Sequence, residues 1–508
     1  MSKLKQRKFK FHIRMGKIWF NRLHSYRNTR WELLIILQLC FSIAVQAQNR
    51  PNVIFILTDQ WRSTAFGFAG DTQVKTPYID QFSKESVIFK NCVSVMPICT
   101  PYRAALMTGR FPTSTGMFMN DLYLPEKELC MAEIFKQQGY ATAFYGKWHL
   151  DGHGRLNNVQ PFRRQGFDYW KGVECTHDYN KMPYFENNDL NVKYWDKYSA
   201  FAIVEDAANY LAEASKSNNP FLLFLSIESP HFSQHKAAQK YQDMYPKEKL
   251  VLSPNVIEDK FPNIRENLKQ YYAHCTATDE AIGDLISKIK SLGLYDNSII
   301  ILTADHGEMM GSHGVRPYEK QISWDESVKT PFLIRYPGIG NNAGKLTHTP
   351  ITTPDVLPTM LSLAGLSIPR TIEGKNISSV IKKPTGVNNR AALYMNVYPT
   401  APTPFSEYRA IKTNRYTYVK TPDKPLMLFN HVTDSLELNN LIDNSNYARL
   451  QKKMDRLMQK ELKAIGDEHF KPSEYYLDKF GLTEMGIKRG DIINTSGNLG
   501  KVYTPKSD

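Results

Sequence analysis

The chain has 508 residues, 42% of them hydrophobic and 22% charged, a composition that supports a large buried core and excludes a disordered or fibrous protein. A formal charge of +14 suggests a polyanionic partner until its location is read. Residues 1–47 hold ten Lys or Arg against the single acid Glu32, so nine of the fourteen charges sit there, and the rest of the chain needs no nucleic acid to explain it.

That basic segment runs into Leu33–Val45, mostly apolar and too short for a membrane span, which needs about 20 residues. Ala44-Val45-Gln46-Ala47 then supplies a small-x-small cleavage pattern. The reading is a signal peptide over 1–47, with Met15 a possible true start, and hence a periplasmic or secreted protein. An uncleaved membrane anchor and a lipid anchor through Cys40 are the rival expectations. Loss of Cys40 leaves five cysteines, Cys92, Cys99, Cys130, Cys175 and Cys275, and an odd count flags one thiol outside any structural bridge.

The next elements are short, β-branched and almost wholly apolar: Asn52 to Leu57, Ala141 to Tyr145, Phe221 to Ser226, Ser298 to Thr303 and Pro331 to Ile334. Runs of this kind read as strands buried on both faces. Helical patterns lie between them: one opened by Thr76-Pro77 as cap and first-turn proline, one from Leu129 to Gln138, and a long one from Glu266 to Leu292. This alternation predicts an α/β fold with a large, mostly parallel or mixed sheet flanked by helices over residues 48–385. Residues 386–508 read as a smaller C-terminal part. It has a hairpin of Glu407–Thr413 and Tyr416–Lys420 turning at Asn414-Arg415, a third strand at Leu426–Phe429, a helix spaced Leu450, Met454, Leu457, Leu462, and a polar tail from Gly486.

Polar residues follow several strands: Asp59, Lys147, His149, His231 and Asp305. Open α/β sheets bind ligands at the carboxyl ends of their strands, so the fold alone gathers these side chains on one edge. Pro101 suits a first helical turn, which puts Cys99 at a helix amino terminus, where backbone N–H groups favour an anion.

Cys99-Thr100-Pro101-Tyr102-Arg103, followed by Thr108-Gly109-Arg110, resembles the signature of the type I sulfatases of the alkaline phosphatase superfamily. Four further segments resemble that family in its order. They are Asn52–Gln60, Tyr145-Gly146-Lys147-Trp148-His149, Ser229-Pro230-His231, and Thr303-Ala304-Asp305-His306-Gly307-Glu308 with Lys320 beyond it. The resemblance implies an alkaline phosphatase-like fold and hydrolysis of a sulfate monoester, with a sulfated sugar or glycan as the expected substrate. It implies that a maturase converts Cys99 to formylglycine. It implies a metal at Asp59, Gln60, Cys99, Asp305 and His306, with Ca²⁺ expected first and Mn²⁺ or Mg²⁺ next, since Gln60 and His306 depart from the common Asp and Asn. Arg103 is then expected to orient the nucleophile, Lys147 and Lys320 to neutralise the sulfate oxygens, His231 to protonate the leaving alcohol and His149 to act in sulfate release. A phosphonate monoester or phosphodiester hydrolase of the same superfamily is the alternative enzyme, and a catalytically silent carbohydrate-binding relative the alternative of another class. His177, in a loop-like stretch, is a candidate sugar contact or a structural residue, and Asn376-Ile377-Ser378 is a formal glycosylation sequon. Oligomeric state has no reading in the sequence.

Overall fold

The computed structural model describes residues 50–232, 237–386, 388–399 and 407–482. The expected signal peptide over 1–47 and the polar tail from Gly486 lie outside the described residues. No described helix is long and apolar enough to cross a membrane.

Four strands form the centre of a ten-stranded sheet: β1 (Asn52–Asp59), β2 (Ala141–Lys147), β3 (Phe221–Pro230) and β4 (Ser298–Ala304). They lie parallel in the order β4-β1-β3-β2. Val53, Phe55 and Leu57 of β1 point into one apolar cluster, and Ile54 and Ile56 into another on the opposite face. Two-sided burial is why the run shows no polar alternation, and each such side chain contributes roughly 1.5–3 kcal/mol. Outside this centre the sheet is mixed. Phe332–Arg335 runs antiparallel to β4, followed by Val87–Phe89 and Leu346–Thr347 at that edge. On the other side Tyr169–Val173 runs parallel to β2, and Pro183–Glu186 and Lys193–Tyr194 complete the edge as antiparallel strands.

Helix α1 (Cys99–Thr108) packs on the first face through Tyr102 and Leu106. It stops at Gly109, whose φ of +66° lets its N–H reach the Ala105 carbonyl. Helix α2 (Ile264–Ser291) covers the other face beside Ser199–Ala214. The helix Pro77–Lys84 forms as expected, but Thr76 does not cap it with its hydroxyl. That oxygen instead accepts from the Gly67 N–H and donates to Asp80, tying the preceding loop to the first turn.

In the C-terminal part, Ala392–Asn396, Tyr408–Lys412, Tyr416–Lys420 and Pro425–Asn430 form an antiparallel sheet in that order. The helix Ala448–Ala464 lays Met454, Met458 and Leu462 against Leu393, Ile411, Tyr418 and Leu428. This cluster is continuous with the one under α1, so no solvent layer separates the two sheets' cores.

Register sets the site. Thr58 pairs with Ala304, Asp59 with Pro230 and Gly146 with Ser226, so Asp59, Lys147, His231 and Asp305 stand at the carboxyl ends of adjacent strands. Gly146 is required there: at φ +99°, an added Cβ would sit 2.1 Å from the Ser226 carbonyl oxygen.

Candidate active site

Cys99 is the first residue of α1 and is 1% exposed. Its Sγ lies 3.4 Å from His306 Nε2, 3.7 Å from Asp59 Oδ1, 3.7 Å from Lys320 Nζ and 4.0 Å from Lys147 Nζ. Four separate segments therefore converge on one side chain. All five described cysteines are free thiols.

The carboxylates are held from behind. Arg103, one turn along α1, sends Nη2 to Asp59 Oδ2 at 3.2 Å and Asp305 Oδ2 at 3.4 Å, while Nη1 is fixed by the Lys147 carbonyl and Ser226 Oγ. Lys147 Nζ adds a 2.8 Å bond to the same Asp59 Oδ2. Burial alone would raise the Asp59 pKa, but the Lys147 ammonium, with the Arg103 guanidinium, holds it well below the carboxylate range. Burial works against charge on Lys147 as well, and Asp59 keeps that ammonium well above its usual range. The pair is thus ionised inside the protein.

The donor atoms of Asp59, Cys99, Asp305 and His306 all lie within 4.8 Å of one another. Asp59 Oδ2 is occupied, but Oδ1 faces inward, 3.7 Å from His306 Nε2. His306 Nδ1 is 2.9 Å from the Gly307 carbonyl, which fixes the proton there and leaves Nε2 as the lone-pair atom. Asp59 Oδ1 and a properly oriented imidazole, with the Asp305 carboxylate beside them accepting from the Gln60 and His306 N–H groups through Oδ1, fit a divalent cation. Gln60 sits in the left-handed region at φ +61°. Its amide nitrogen is held by Glu308, and its Oε1 accepts from Lys320 Nζ at 2.9 Å. Lys320 Nζ is also 2.9 Å from His231 Nε2. Burial, and then Lys320, push His231 well below its ordinary pKa, which keeps the ring neutral with the lysine charged beside it.

His149 lies elsewhere on the rim of this centre. Its Nε2 is 3.0 Å from Asp121 Oδ1, and its carbonyl accepts from Thr100 Oγ1, next to Cys99. His177 stacks flat on His231, with centroids 4.7 Å apart and planes within 2°, and remains 29% exposed. The loop residue is therefore part of the site's wall. The structure brings Asp59, Gln60, Cys99, Arg103, Lys147, His231, Asp305, His306 and Lys320 together, with His149 beside the start of α1.

Three polar residues were missed by reasoning from sequence. Asp121 and Arg155 buttress His149. Glu228, fully buried, lies 3.6 Å from Lys147 and 3.7 Å from His177, and burial moves its pKa up to about 7. An acid inside an otherwise apolar strand was the available signal for Glu228; the loop residues carried none.

The sulfatase family profile matches residues 51–366, and a profile described as N-sulphoglucosamine sulphohydrolase, C-terminal, matches residues 311–464. An ulvan-active sulfatase of Formosa agariphila is 54% identical over 456 residues, covering 89% of this chain and 89% of the relative. A solved Bacteroides thetaiotaomicron structure, from work on the metabolism of multiple glycosaminoglycans, superposes with a TM-score of 0.74 at 27% identity, over 85% of this chain and 99% of that one. A phosphonate monoester hydrolase of Agrobacterium radiobacter superposes with a TM-score of 0.67 at 20% identity, over 86% of this chain and 99% of that one, a likeness of fold alone.

Proposed function

The chain belongs to the sulfatase family, and from that premise we propose how this sulfatase works: residue 99, oxidised from cysteine to formylglycine, is its nucleophile, served by a divalent cation. The observation that carries the reading is the convergence of Asp59, His306, Lys147 and Lys320 on the side chain of residue 99. A hydrated aldehyde at that position supplies two hydroxyls on one carbon, one to take the sulfuryl group and one to release it. Asp59, Asp305 and His306, with Gln60 at the margin, would hold the cation, which would lower the pKa of an oxygen nucleophile and offset charge on sulfate.

The chain's own groups then divide the work. Lys147 and Lys320 neutralise the non-bridging oxygens of the sulfate ester. Arg103 keeps both carboxylates in place. As the ester bond breaks, the leaving oxygen takes up a proton that Lys320 Nζ supplies through the neutral His231 ring beside it. His149 takes the proton of the remaining hydroxyl as sulfate departs and the carbonyl re-forms. The substrate is a sulfated glycan, a reading supported by the ulvan-active relative and by the partly exposed imidazole of His177 at the wall. The setting is the periplasm or the exterior, and a maturase acts on Cys99 beforehand.

Two measurements test this reading. Mass analysis of the peptide bearing residue 99, from protein made in its native host, should show the aldehyde or its hydrate. Matched assays on sulfated oligosaccharides and a phosphodiester should favour the sulfate esters. Active protein carrying an unmodified thiol would remove the nucleophile, and preference for the phosphodiester would favour the phosphohydrolase alternative.

A further inference from the structure

Two residues given no role in the chemistry so far, Asp121 and Arg155, are built against His149. Asp121 Oδ1 takes His149 Nε2 at 3.0 Å. The same carboxylate is gripped on both oxygens by Arg155, with Nε to Oδ1 at 2.9 Å and Nη2 to Oδ2 at 2.7 Å. This bidentate fork fixes the carboxylate plane as well as its charge. The loop is also tied to the nucleophile's helix: Asn120 Oδ1 accepts the Thr100 N–H at 3.0 Å, and Thr100 Oγ1 accepts the Asp121 N–H at 3.3 Å while donating to the His149 carbonyl at 2.9 Å.

Asp121 and His149 both adopt left-handed backbone conformations, at φ +62° and +56°. Strained non-glycine residues persist only where the surroundings hold them, and they cluster at functional sites. The other ring nitrogen of His149, Nδ1, is buried and has no hydrogen-bond partner among the described residues. A carboxylate can only accept, so Nε2 carries the proton and Nδ1 keeps a free lone pair.

We propose that Asp121, locked by Arg155, is the positioning residue that fixes His149 in the tautomer whose Nδ1 accepts a proton during sulfate release. This rests on the assignment of His149 to that step. There the proton passes from the remaining hydroxyl of residue 99 to Nδ1, the carbon–oxygen bond to sulfate breaks, and the carbonyl re-forms. Asp121 stabilises the imidazolium produced and stays ionised throughout.

The test compares Asp121→Asn, Arg155→Lys and His149→Ala in the mature, metal-loaded enzyme with an aryl sulfate. In Asp121→Asn, Arg155 pairs with the amide oxygen and turns the NH₂ toward the ring, which favours the opposite tautomer. A normal first-turnover burst should be followed by turnover slowed about 10- to 100-fold, with sulfate retained on the protein by intact mass and KM not raised. Arg155→Lys should show a smaller loss of the same kind. The downfield ring N–H resonance of His149 should disappear in Asp121→Asn, a change that lost packing with an intact Nε2–H bond would not cause. Thermal melting identifies any variant that fails to fold, in which case Arg155→Lys decides. If His149→Ala traps sulfate but neither Asp121→Asn nor Arg155→Lys does, the positioning role is wrong and the histidine's role stands. If His149→Ala traps none despite a normal burst, the histidine's assignment fails and takes this inference with it.

Discussion

Two clusters of acids and histidine, one buried and one partly buried, can be set side by side in this molecule. The donor atoms of Asp59, Cys99, Asp305 and His306 lie within 4.8 Å of one another, and so do those of Asp325, His431 and Glu437 at the junction with the C-terminal sheet. In the second cluster an ammonium already occupies the centre: Lys412 Nζ is 2.5 Å from Asp325 Oδ1, 2.9 Å from His431 Nε2 and 3.0 Å from Thr417 Oγ1, which uses all three of its protons. In the first, Lys147 and Arg103 share the outer oxygen Asp59 Oδ2, and Lys320 turns to Gln60 and His231. Asp59 Oδ1 and His306 Nε2 are left facing residue 99. The same residue types thus make a closed structural knot in one place and an open, ligand-ready centre in the other. The difference is the side from which the positive charge arrives.

The sharpest way to break this contrast is to remove what each cluster centres on. Cys99→Ala should cost turnover on the order of 10⁴-fold or more with little change in melting temperature. Exhaustive chelation should abolish activity, a divalent ion should restore it, and metal analysis should find one such ion per chain. A second stoichiometric ion would overturn the reading of the Lys412 cluster as closed. A smaller effect separates the two histidines nearest the reaction. His231→Ala should lose roughly 10²- to 10⁴-fold on alkyl sulfates and far less on activated aryl sulfates, because a weakly basic leaving group needs little protonation. Equal losses on both, with chemistry rate-limiting, would remove its acid role.

Lys412→Met tests the closed cluster. It leaves Asp325 and Glu437 without their buried cation and should cost about 3–5 kcal/mol in denaturant unfolding, with near-normal turnover per folded molecule. Stability unchanged within error would mean that water replaces the ammonium cheaply. The smallest effect is a slope. Burial, and then Lys412, lower His431 to about 3, so between pH 6.5 and 3 the unfolded chain binds a proton that the folded chain refuses. This residue's contribution therefore falls as pH falls through that window, by up to about 1.4 kcal/mol per pH unit. Glu437, raised by burial and by Asp325, acts in the opposite sense, so the quantity to read is the difference between wild type and His431→Asn. No difference in slope would place the imidazole's protonation outside the folding balance.

The contrast also marks what a sequence can carry. β1, β3 and β4 were legible because strands buried on both faces leave unbroken apolar runs, and the residues at their ends followed from the topology. Cys99, Arg103 and Lys320 were legible through resemblance to a family motif. Asp121 was not, since its partner His149 lies 28 positions on and their bond depends on two loops meeting. β3 was expected to end at Ser226 and continues to Pro230, because Glu228 and Ser229 look like a strand's polar exit yet are completely buried. Lys412 was legible only as part of a hairpin strand, and it fills the knot. Long-range polar pairing leaves no periodicity to read.

β1 sits between β3 and β4, whose pairing residues lie 169 and 246 positions further along. In order of synthesis, the strand that delivers Asp59 is therefore made first among the described strands and paired on both edges only after the other three central strands exist. Until Ser298–Ala304 emerges, an eight-residue strand, apolar on both faces until Thr58, has at least one open edge, and contacts of such long separation form slowly. The growing chain must keep that segment from self-association for nearly half of its length, so factors that shield unpaired strands should govern its yield more than any single contact in the finished fold.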